Sequence, residues 1–256
     1  MKSTLPQQHH QPSGWPANVR IVSTGRAGGV SAGVYSSLNI AFHVGDAEHC
    51  VRRNREALKS ACDGVTTIFW LKQIHGSELV RARTDQEDNE EIAADASWTM
   101  ESGLACAVMT ADCLPILVTD RTGSFVAAIH AGWRGMAAGI LEKAIAAFPG
   151  DPAEYLCWLG PAIGQSAYEV GPEVVTALGV SPSVFASSDE IAIASEVGSD
   201  RYLVDLKRAA RSRLVREGVG DIRTVSCCTY ADSDRYFSYR RDGNTGRQAS
   251  LIYLTA

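Results

Sequence analysis

The chain has 256 residues, 45% hydrophobic and 21% charged, which is enough apolar material for one large domain or two small ones. Its net charge of −5 argues against a general nucleic-acid-binding protein, because such proteins normally carry a basic balance. No apolar run reaches the ~20 residues that span a bilayer, the polar N-terminus lacks the apolar core of a secretory signal, and the seven cysteines are therefore expected as free thiols in the cytoplasm.

The predicted elements begin after a polar segment. Residues 1–17 contain three prolines and are expected to be a disordered tail, followed by a single domain over 18–256. Residues 19–24 (VRIVST) predict a strand that runs into the glycine-rich turn at 25–33. A helix is predicted over 50–62 (CVRRNREALKSAC), ended by an Asp-Gly pair.

The middle of the chain mixes strands and helices. Apolar runs predict strands at 67–75 (TIFWLKQIH), 104–110 (LACAVMT) and 124–130 (SFVAAIH). Apolar residues at helical spacing then predict a helix over 136–148 (MAAGILEKAIAAF). A short helix over 171–178 has Pro172 as its expected first residue, where the missing N–H costs nothing.

The last part of the chain predicts one helix and three strands. The helix covers 203–218 and closes on a glycine. The strands, at 222–230, 235–241 and 249–254, lie close together along the sequence and suggest an antiparallel meander. Because helices and strands interleave before that meander, we expect an α/β fold with mixed sheets and flanking helices rather than a regular doubly wound one.

The stretch 109–118 (MTADCLPILV) has a polar interruption inside an apolar run. Asp112 and Cys113 stand side by side at its centre, and Pro115 follows them. A proline interrupts a sheet ladder, so a strand is expected to end or bend here. Asp112 can then orient a metal-binding histidine, act on substrate as an acid or base, or only cap the turn at the bend.

Two histidines share this placement at predicted strand ends with Cys113. They are His75 in KQIHG and His130 in AAIHAGWRG. Histidine and cysteine are favoured zinc ligands, and a catalytic zinc commonly has three protein ligands and one open position. The same residues also fit Cys113 as a nucleophile with His130 as its base, or a buried thiol and a hydrogen-bonded histidine with no shared role.

Arginines near these motifs are candidates for binding an anion. Arg26 lies in the glycine-rich turn, where backbone amides can approach a ligand, although a plain tight turn is the default interpretation. Arg134 stands at a predicted helix start, which suits phosphate, but it can equally pair with Glu142 or a neighbouring residue on the surface. Arg240 and Arg241 alternate along a predicted strand, so at most one of them faces a shared pocket.

One aromatic residue is a candidate for binding a flat base. Tyr230 can stack on such a base, although aromatic residues in a terminal strand more commonly belong to the core.

The motifs of this chain, taken together and in order, resemble those of one family. They are STGRAGGVS, SLN, KQIHG, ADAS, AVMTADCLPIL, AAIHAGWRGMAAGI, WLGPAIG, YEVG, CTY and FSYRRDGNTGR. The chain resembles, from about Arg20 to Leu254, the laccase-domain family, variously called multicopper polyphenol oxidoreductase, peptidoglycan editing factor and purine nucleoside phosphorylase, with FAMIN as its vertebrate relative. The resemblance implies a single-domain α/β fold.

The resemblance also implies a site. It assigns a zinc ion to His75, Cys113 and His130, and it places Asn39 of SLN and Asp95 of ADAS among the candidate substrate-binding residues. Because the activities attributed to the family conflict, the resemblance alone does not choose one function.

The favoured function is a zinc-dependent purine nucleoside phosphorylase. It would act on adenosine, inosine and S-methyl-5'-thioadenosine, and it would also deaminate adenosine. Zinc lowers the pKa of bound water to ~7, which suits deamination, and arginines near the pocket can hold phosphate. The expected partners are a purine nucleoside and phosphate, without nucleic acid or membrane, and the expected assembly is a monomer or small homo-oligomer.

Three alternatives remain open at this stage. A copper-dependent polyphenol oxidase is one, but six histidines are few for a conventional multicopper laccase, so a single copper ion would have to serve. A hydrolase that removes a wrongly incorporated amino acid from a peptidoglycan precursor is another. A non-enzymatic, metal-stapled module is the third, although structural zinc normally has four protein ligands.

Overall fold

The computed structural model describes residues 12–85, 92–180 and 194–255. In these ranges the strands are, in chain order, β1 (Val19–Ser23), β2 (Thr67–Phe69), β3 (Leu79–Arg81), β4 (Ala96–Thr99), β5 (Leu104–Thr110), β6 (Leu114–Asp120), β7 (Val126–Ala131), β8 (Tyr155–Leu159), β9 (Glu169–Val170), β10 (Ala194–Gly198), β11 (Arg201–Val204), β12 (Asp221–Thr224) and β13 (Gln248–Leu254). The α-helices are α1 (Glu48–Ala61), α2 (Trp133–Ala137), α3 (Ile140–Ala147), α4 (Pro172–Leu178), α5 (Leu206–Arg216) and α6 (Tyr239–Asp242). The expected α/β fold with mixed sheets and flanking helices is confirmed.

The described strands form two large sheets and one small one. A four-stranded sheet has the order β1-β13-β5-β2, and a six-stranded sheet has the order β12-β8-β6-β7-β4-β3. Both contain parallel and antiparallel pairs. Strands β5 and β13 are buried along their whole length, which agrees with their predominantly apolar sequences. The small sheet, β10-β11-β9, lies beside α4 and a short 3-10 helix at Gln165–Ala167.

The polar interruption at residues 111–113 is where the chain passes from one large sheet to the other. Thr110, the last residue of β5, pairs with Gln248 in the four-stranded sheet. Leu114, the first residue of β6, pairs with Ala131 in the six-stranded sheet. Pro115 is the second residue of β6, close to the strand start where a proline is tolerated. The expected strand break is therefore confirmed, and it places Asp112 and Cys113 at the junction of the sheets.

The helices follow their sequence patterns, except that one predicted helix is divided into two. Pro172 is the first residue of α4, and Asp205 caps α5 by accepting a hydrogen bond from the Arg208 amide. The single helix expected over 136–148 is wrong, because α2 and α3 are separate. Gly139 stands between them at a φ of 83°, a left-handed conformation that ends one helix before the next begins.

The antiparallel meander expected at the C-terminal end is also wrong. Strand β12 joins the six-stranded sheet in parallel with β8, whereas β13 joins the four-stranded sheet. Between them residues 235–241 lead into the short helix α6 instead of a strand, with the Ser238 hydroxyl accepting a hydrogen bond from the Arg241 amide. The local pattern of aromatic and polar residues was compatible with a strand, but this cap and contacts to the sheet junction override it.

Two boundaries differ from the sequence expectations. Strand β2 ends at Phe69, so His75 lies in a loop beyond the strand, with a φ of 58°. Residues 1–11 of the expected tail lie outside the described residues, but Trp15 is only 8% exposed and packs in the core. Among the described helices, none combines the length and apolar character needed to cross a membrane.

Candidate active site

His75, Cys113 and His130 converge at the junction of the two large sheets. One ligand atom from each, two imidazole nitrogens and the thiol sulfur, all lie within 4.8 Å of one another. The imidazole rings of His75 and His130 are 4.8 Å apart between centroids and meet edge to face. His130 is buried, Cys113 is half-buried and His75 is exposed, so the cluster is open on one side.

The fold brings these three residues together from separate elements. Cys113 lies at the crossing between β5 and β6, and His130 lies at the end of β7, where it pairs with Pro115. His75 comes from the loop after β2. Cys113 and His130 are therefore placed by the neighbouring strands β6 and β7, whereas the position of His75 depends on the conformation of its loop.

Asp95 holds that loop and one of the ring nitrogens. Its carboxylate accepts hydrogen bonds from the backbone amides of His75 at 3.0 Å and Gly76 at 2.7 Å. The same carboxylate lies 2.8 Å from Nδ1 of His130. A hydrogen bond at Nδ1 fixes the imidazole orientation and leaves Nε2 for a ligand. Asp95 is completely buried, so the structure places this expected substrate residue behind the histidine.

The cluster favours a thiolate at Cys113. Burial alone raises the pKa of this thiol, but charge interactions and hydrogen bonds with His130 and His75 outweigh burial and lower the pKa to about 6. Burial in turn lowers the pKa of His130, and the Cys113 thiolate and Asp95 outweigh that effect and raise it. A thiolate is the form of cysteine that binds metals and acts as a nucleophile.

The backbone beside the cluster leaves room for the thiolate. A Cβ at Gly132 would lie 3.0 Å from Sγ of Cys113 and 3.5 Å from Cδ2 of His75. Glycine therefore allows the β7–α2 connection to pass close to the two side chains. Two imidazoles, one thiolate and a carboxylate behind one imidazole form a donor set that suits zinc or copper. The residues present thus fit the metal that the sequence resemblance implies.

The cluster faces a cavity of about 410 Å³. Its remaining lining includes the aromatic residues Trp133, Tyr168 and Tyr239 and the basic residues His43, Arg134, Arg240 and Arg247. Arg134 lies 4.4 Å from the Trp133 ring, and Arg240 lies 5.3 Å from the Tyr168 ring. Flat rings and guanidinium groups thus surround a space large enough for a small organic molecule.

The structure bears on the expected contacts of Arg134 and on those of Arg240 and Arg241. Glu142 pairs with Arg213 at 2.7 Å, so the alternative in which Glu142 pairs with Arg134 is wrong. Arg240 lines the cavity and donates from Nη1 to the Glu169 carbonyl at 2.7 Å, whereas the Arg241 guanidinium donates to the carbonyls of Thr229 and Tyr236. Both arginines lie in helix α6 instead of the expected strand, and their side chains make different contacts.

Asp112 lies in the cavity wall, but its hydrogen bonds run to the C-terminal part of the chain. Its carboxylate accepts from the hydroxyls of Thr229 at 2.7 Å and Ser238 at 3.0 Å, and from the Arg240 amide at 2.7 Å. Its backbone has a φ of 91°. It thus fastens α6 to the sheet junction, and the carboxylate that orients a cluster histidine is Asp95.

The other expected substrate residues lie elsewhere. Among the described residues, those that line the cavity do not include Arg26, Asn39 or Tyr230. The Arg26 guanidinium donates to the carbonyls of Ser36 and Ser233 and lies 4.8 Å from the Phe237 ring. Tyr230 is 39% exposed. The glycine-rich turn is therefore braced by Arg26 instead of presenting it to the cavity.

Sequence reasoning missed several cavity residues that its own motifs contained, Gln73 and Arg247 among them. Gln73 of KQIHG is hydrogen-bonded to both backbone groups of Met109, at 2.9 Å and 2.7 Å. Arg247 is the last residue of FSYRRDGNTGR and precedes β13. A charged residue next to a wholly buried strand is a signal that its charge lies near the sheet end, and the alanines around Asp95 similarly indicate a buried carboxylate.

Comparison with known proteins gives consistent matches along nearly the whole chain. The Escherichia coli K12 protein named purine nucleoside phosphorylase YfiH is 42% identical over 255 residues, covering 99% of this chain and 100% of the relative. The Pseudomonas aeruginosa protein named purine nucleoside phosphorylase PA4543 is 44% identical, covering 93% of this chain and 95% of the relative.

Solved structures show the same fold. The crystal structure of Neisseria meningitidis protein NMB0706 is 44% identical, covers 100% of both chains and superposes with a TM-score of 0.86. That of YlmD from Geobacillus stearothermophilus is 29% identical, covers 98% of this chain and 100% of that chain, and gives a TM-score of 0.85. The model of the family described as multi-copper polyphenol oxidoreductase laccase matches residues 20–255. The resemblance seen in the motifs is confirmed, and the chain belongs to this laccase-like family.

Proposed function

We propose that this chain is a metal-dependent purine nucleoside phosphorylase. One observation carries the proposal: the His75, Cys113 and His130 cluster opens on a cavity that also contains three arginines. Within the described residues these arginines have no carboxylate partner. They therefore offer positive charge for an anionic substrate such as phosphate. The names of the relatives at 37–44% identity support the same activity.

The proposed reaction joins an anion and a nucleoside in one cavity. An oxygen of phosphate attacks C1' of the ribose, the bond from C1' to N9 breaks, and the purine leaves with the bonding electron pair and takes up a proton. Arg134 and Arg240 hold the phosphate, and the rings of Tyr168, Tyr239 and Trp133 provide flat surfaces for the purine. The proposed substrates are adenosine, inosine and S-methyl-5'-thioadenosine.

We assign the metal to His75, Cys113 and His130, with zinc as the proposed ion. A bound zinc would supply a Lewis acid and a lowered pKa for a coordinated water, which also suits deamination of adenosine at C6. Asp95 keeps His130 in the tautomer that presents Nε2, and burial of His130 excludes bulk water from that side. Copper is the competing ion, because copper binds most nitrogen and sulfur ligand sets more tightly than zinc does.

The direct test uses metal-defined protein. Samples loaded with zinc or copper, together with metal-free protein, are incubated with inosine or adenosine in the presence and absence of phosphate, and products are read by mass spectrometry. Ribose-1-phosphate formed only with phosphate and zinc supports the proposal. Oxygen uptake with a catechol, seen only in the copper sample and without nucleoside cleavage, would instead support polyphenol oxidation.

Arg134 provides a second test, because phosphate takes part in phosphorolysis but not in deamination. In Arg134→Ala we expect the Michaelis constant for phosphate to rise about tenfold, equivalent to ~1.4 kcal/mol of lost binding. Adenosine deamination should change much less. Equal losses in both reactions, at the same zinc occupancy, would mean that Arg134 supports the site as a whole and does not bind phosphate.

A further inference from the structure

Within the described residues, the Arg247 guanidinium donates to two backbone carbonyls, whereas that of Arg240 donates to one, the Glu169 carbonyl at 2.7 Å. Its backbone amide donates to Oδ1 of Asn39 at 3.0 Å, and its Nη1 donates to the carbonyls of Thr245 at 2.8 Å and Gly246 at 3.0 Å. The next residue, Gln248, begins β13 opposite Thr110 at the end of β5. Hydrogen bonds therefore hold both the backbone and the guanidinium of Arg247, beside the junction that carries Cys113.

Burial of the Arg247 guanidinium is unfavourable for its positive charge. Arg134 and Arg240 are exposed, whereas Arg247 is half-buried. Burial lowers the pKa of the Arg247 guanidinium, and the charges of Cys113 and Asp112 oppose that effect. Asp112 already accepts three hydrogen bonds from other groups, and within the described residues no carboxylate pairs with Arg247. A half-buried cation without a carboxylate partner gains stability when an anion enters the cavity.

We infer that Arg247 is the principal phosphate-binding residue of this cavity, with Arg134 and Arg240 closing on the anion from the exposed side. This inference rests on the proposed function, because it names the residue that holds the attacking substrate. The two carbonyls hold Nη1, and Arg247 lines the cavity, so its remaining guanidinium donors can bind a ligand there with less loss of side-chain entropy than those of a free arginine. Such a fixed group binds an oxyanion through charge-assisted hydrogen bonds.

Asn39 is a positioning residue in this arrangement. It is completely buried, and its Oδ1 accepts from the amides of both Ala41 and Arg247. Its Nδ2 donates to Asp46 at 2.9 Å. Asn39, which was expected to bind substrate directly, thus lies behind Arg247 and ties the SLN motif to the backbone of the arginine.

The test compares Arg247→Gln and Arg247→Lys with Arg216→Gln. Arg216 is an exposed arginine at the end of α5, so its variant matches the loss of one charge away from the cavity. Inorganic phosphate is titrated into zinc-loaded protein without nucleoside, with binding followed by calorimetry and by the phosphate-dependent rise in melting temperature. We expect the dissociation constant for phosphate to rise at least about thirtyfold in Arg247→Gln and less in Arg247→Lys, and to stay unchanged in Arg216→Gln.

Kinetics provide the second readout. In Arg247→Gln the Michaelis constant for phosphate should rise by a similar factor, whereas that for inosine should change less than about threefold. Phosphate affinity unchanged in both Arg247 variants would overturn the inference even if phosphorolysis proceeds normally. Conversely, if the wild-type protein binds phosphate through Arg247 but forms no ribose-1-phosphate, the inference stands and the proposed function fails.

Discussion

Asp95 contacts His130 through both its backbone and its side chain. The Asp95 carbonyl accepts a hydrogen bond from the His130 amide at 2.7 Å, and Oδ1 of Asp95 lies 2.8 Å from Nδ1 of the ring. The same carboxylate accepts from the amides of residues 74–76, which carry His75. One buried acidic residue thus sets the positions of both histidines in the cluster.

Replacing Asp95 by asparagine should weaken metal binding. The asparagine retains the shape, but its single oxygen cannot serve both the imidazole and the three loop amides. We expect the affinity for zinc to fall about 10- to 100-fold, the usual effect of losing the group behind a ligating histidine. Competition with a chromophoric chelator measures this affinity.

Asp120→Asn is the matched control for that variant. Asp120 also accepts several hydrogen bonds, from Thr122 and Ser124, but it lies at the far end of β6. Its zinc affinity should match the wild type. An Asp95→Asn protein with wild-type zinc affinity would mean that the carboxylate serves only the loop conformation.

Removing the thiol should remove the metal while preserving the fold. Cys113→Ala deletes one of three proposed ligands at a half-buried position, so we expect loss of stoichiometric zinc and of activity, with a melting temperature close to that of the metal-free wild type. Elemental analysis and circular dichroism check both parts. Cys62→Ala, which changes a thiol away from the cluster, should retain zinc and activity, and a full equivalent of zinc in Cys113→Ala would contradict the assignment.

Gly132→Ala should disturb the cluster without changing any ligand. The new Cβ would lie 3.0 Å from the Cys113 sulfur, closer than ordinary contacts allow, so the thiolate or the backbone must move. We expect reduced zinc affinity, measured by the same chelator competition. Gly220→Ala is the control, because a Cβ at that glycine meets nothing within 4 Å. Equal zinc affinity in both variants would show that the backbone at Gly132 yields easily.

The metal-free protein should be alkylated first at Cys113. Its pKa, lowered to about 6 by the histidines despite burial, makes it largely thiolate at pH 7.5, whereas burial raises the pKa of Cys106 to about 12. Because the thiolate is the reactive form, the rate at Cys113 should fall as the pH drops through about 6. Iodoacetamide labelling with peptide mass spectrometry measures this, and zinc should protect the residue. Labelling of Cys106 before Cys113 would contradict the prediction.

Asp112→Ala should reduce stability more than an ordinary surface substitution. It removes the acceptor for Thr229, Ser238 and the Arg240 amide, and leaving such buried donors unpaired costs about 1–3 kcal/mol. Denaturant unfolding of the metal-free protein gives this value without any contribution from the site. Asp234→Ala, an exposed carboxylate in the same C-terminal region, should change stability little. A wild-type unfolding free energy in Asp112→Ala would contradict the role of this carboxylate in fastening α6.

The sequence by itself determined the elements whose patterns are local. The apolar runs of β5 and β13, the amphipathic helix α1 and the proline that starts α4 all predict their structures, because burial and backbone chemistry act within a few residues. The polar pair before Pro115 predicts the strand break for the same reason. The chemical types of the cluster residues made them candidate metal ligands, and the motif order pointed to the family.

Only the tertiary structure decided what each polar residue near the cluster does. Asp95 and Asp112 are both acidic residues beside apolar strands, yet one orients His130 and the other fastens α6, because the partner of each comes from a distant part of the chain. Arg26 was expected at the cavity, but its guanidinium donates to backbone carbonyls, whereas Arg247, which the sequence did not single out, lines the cavity. Pairing between strands that are distant in the sequence sets these positions, and residue spacing along the sequence does not predict that pairing.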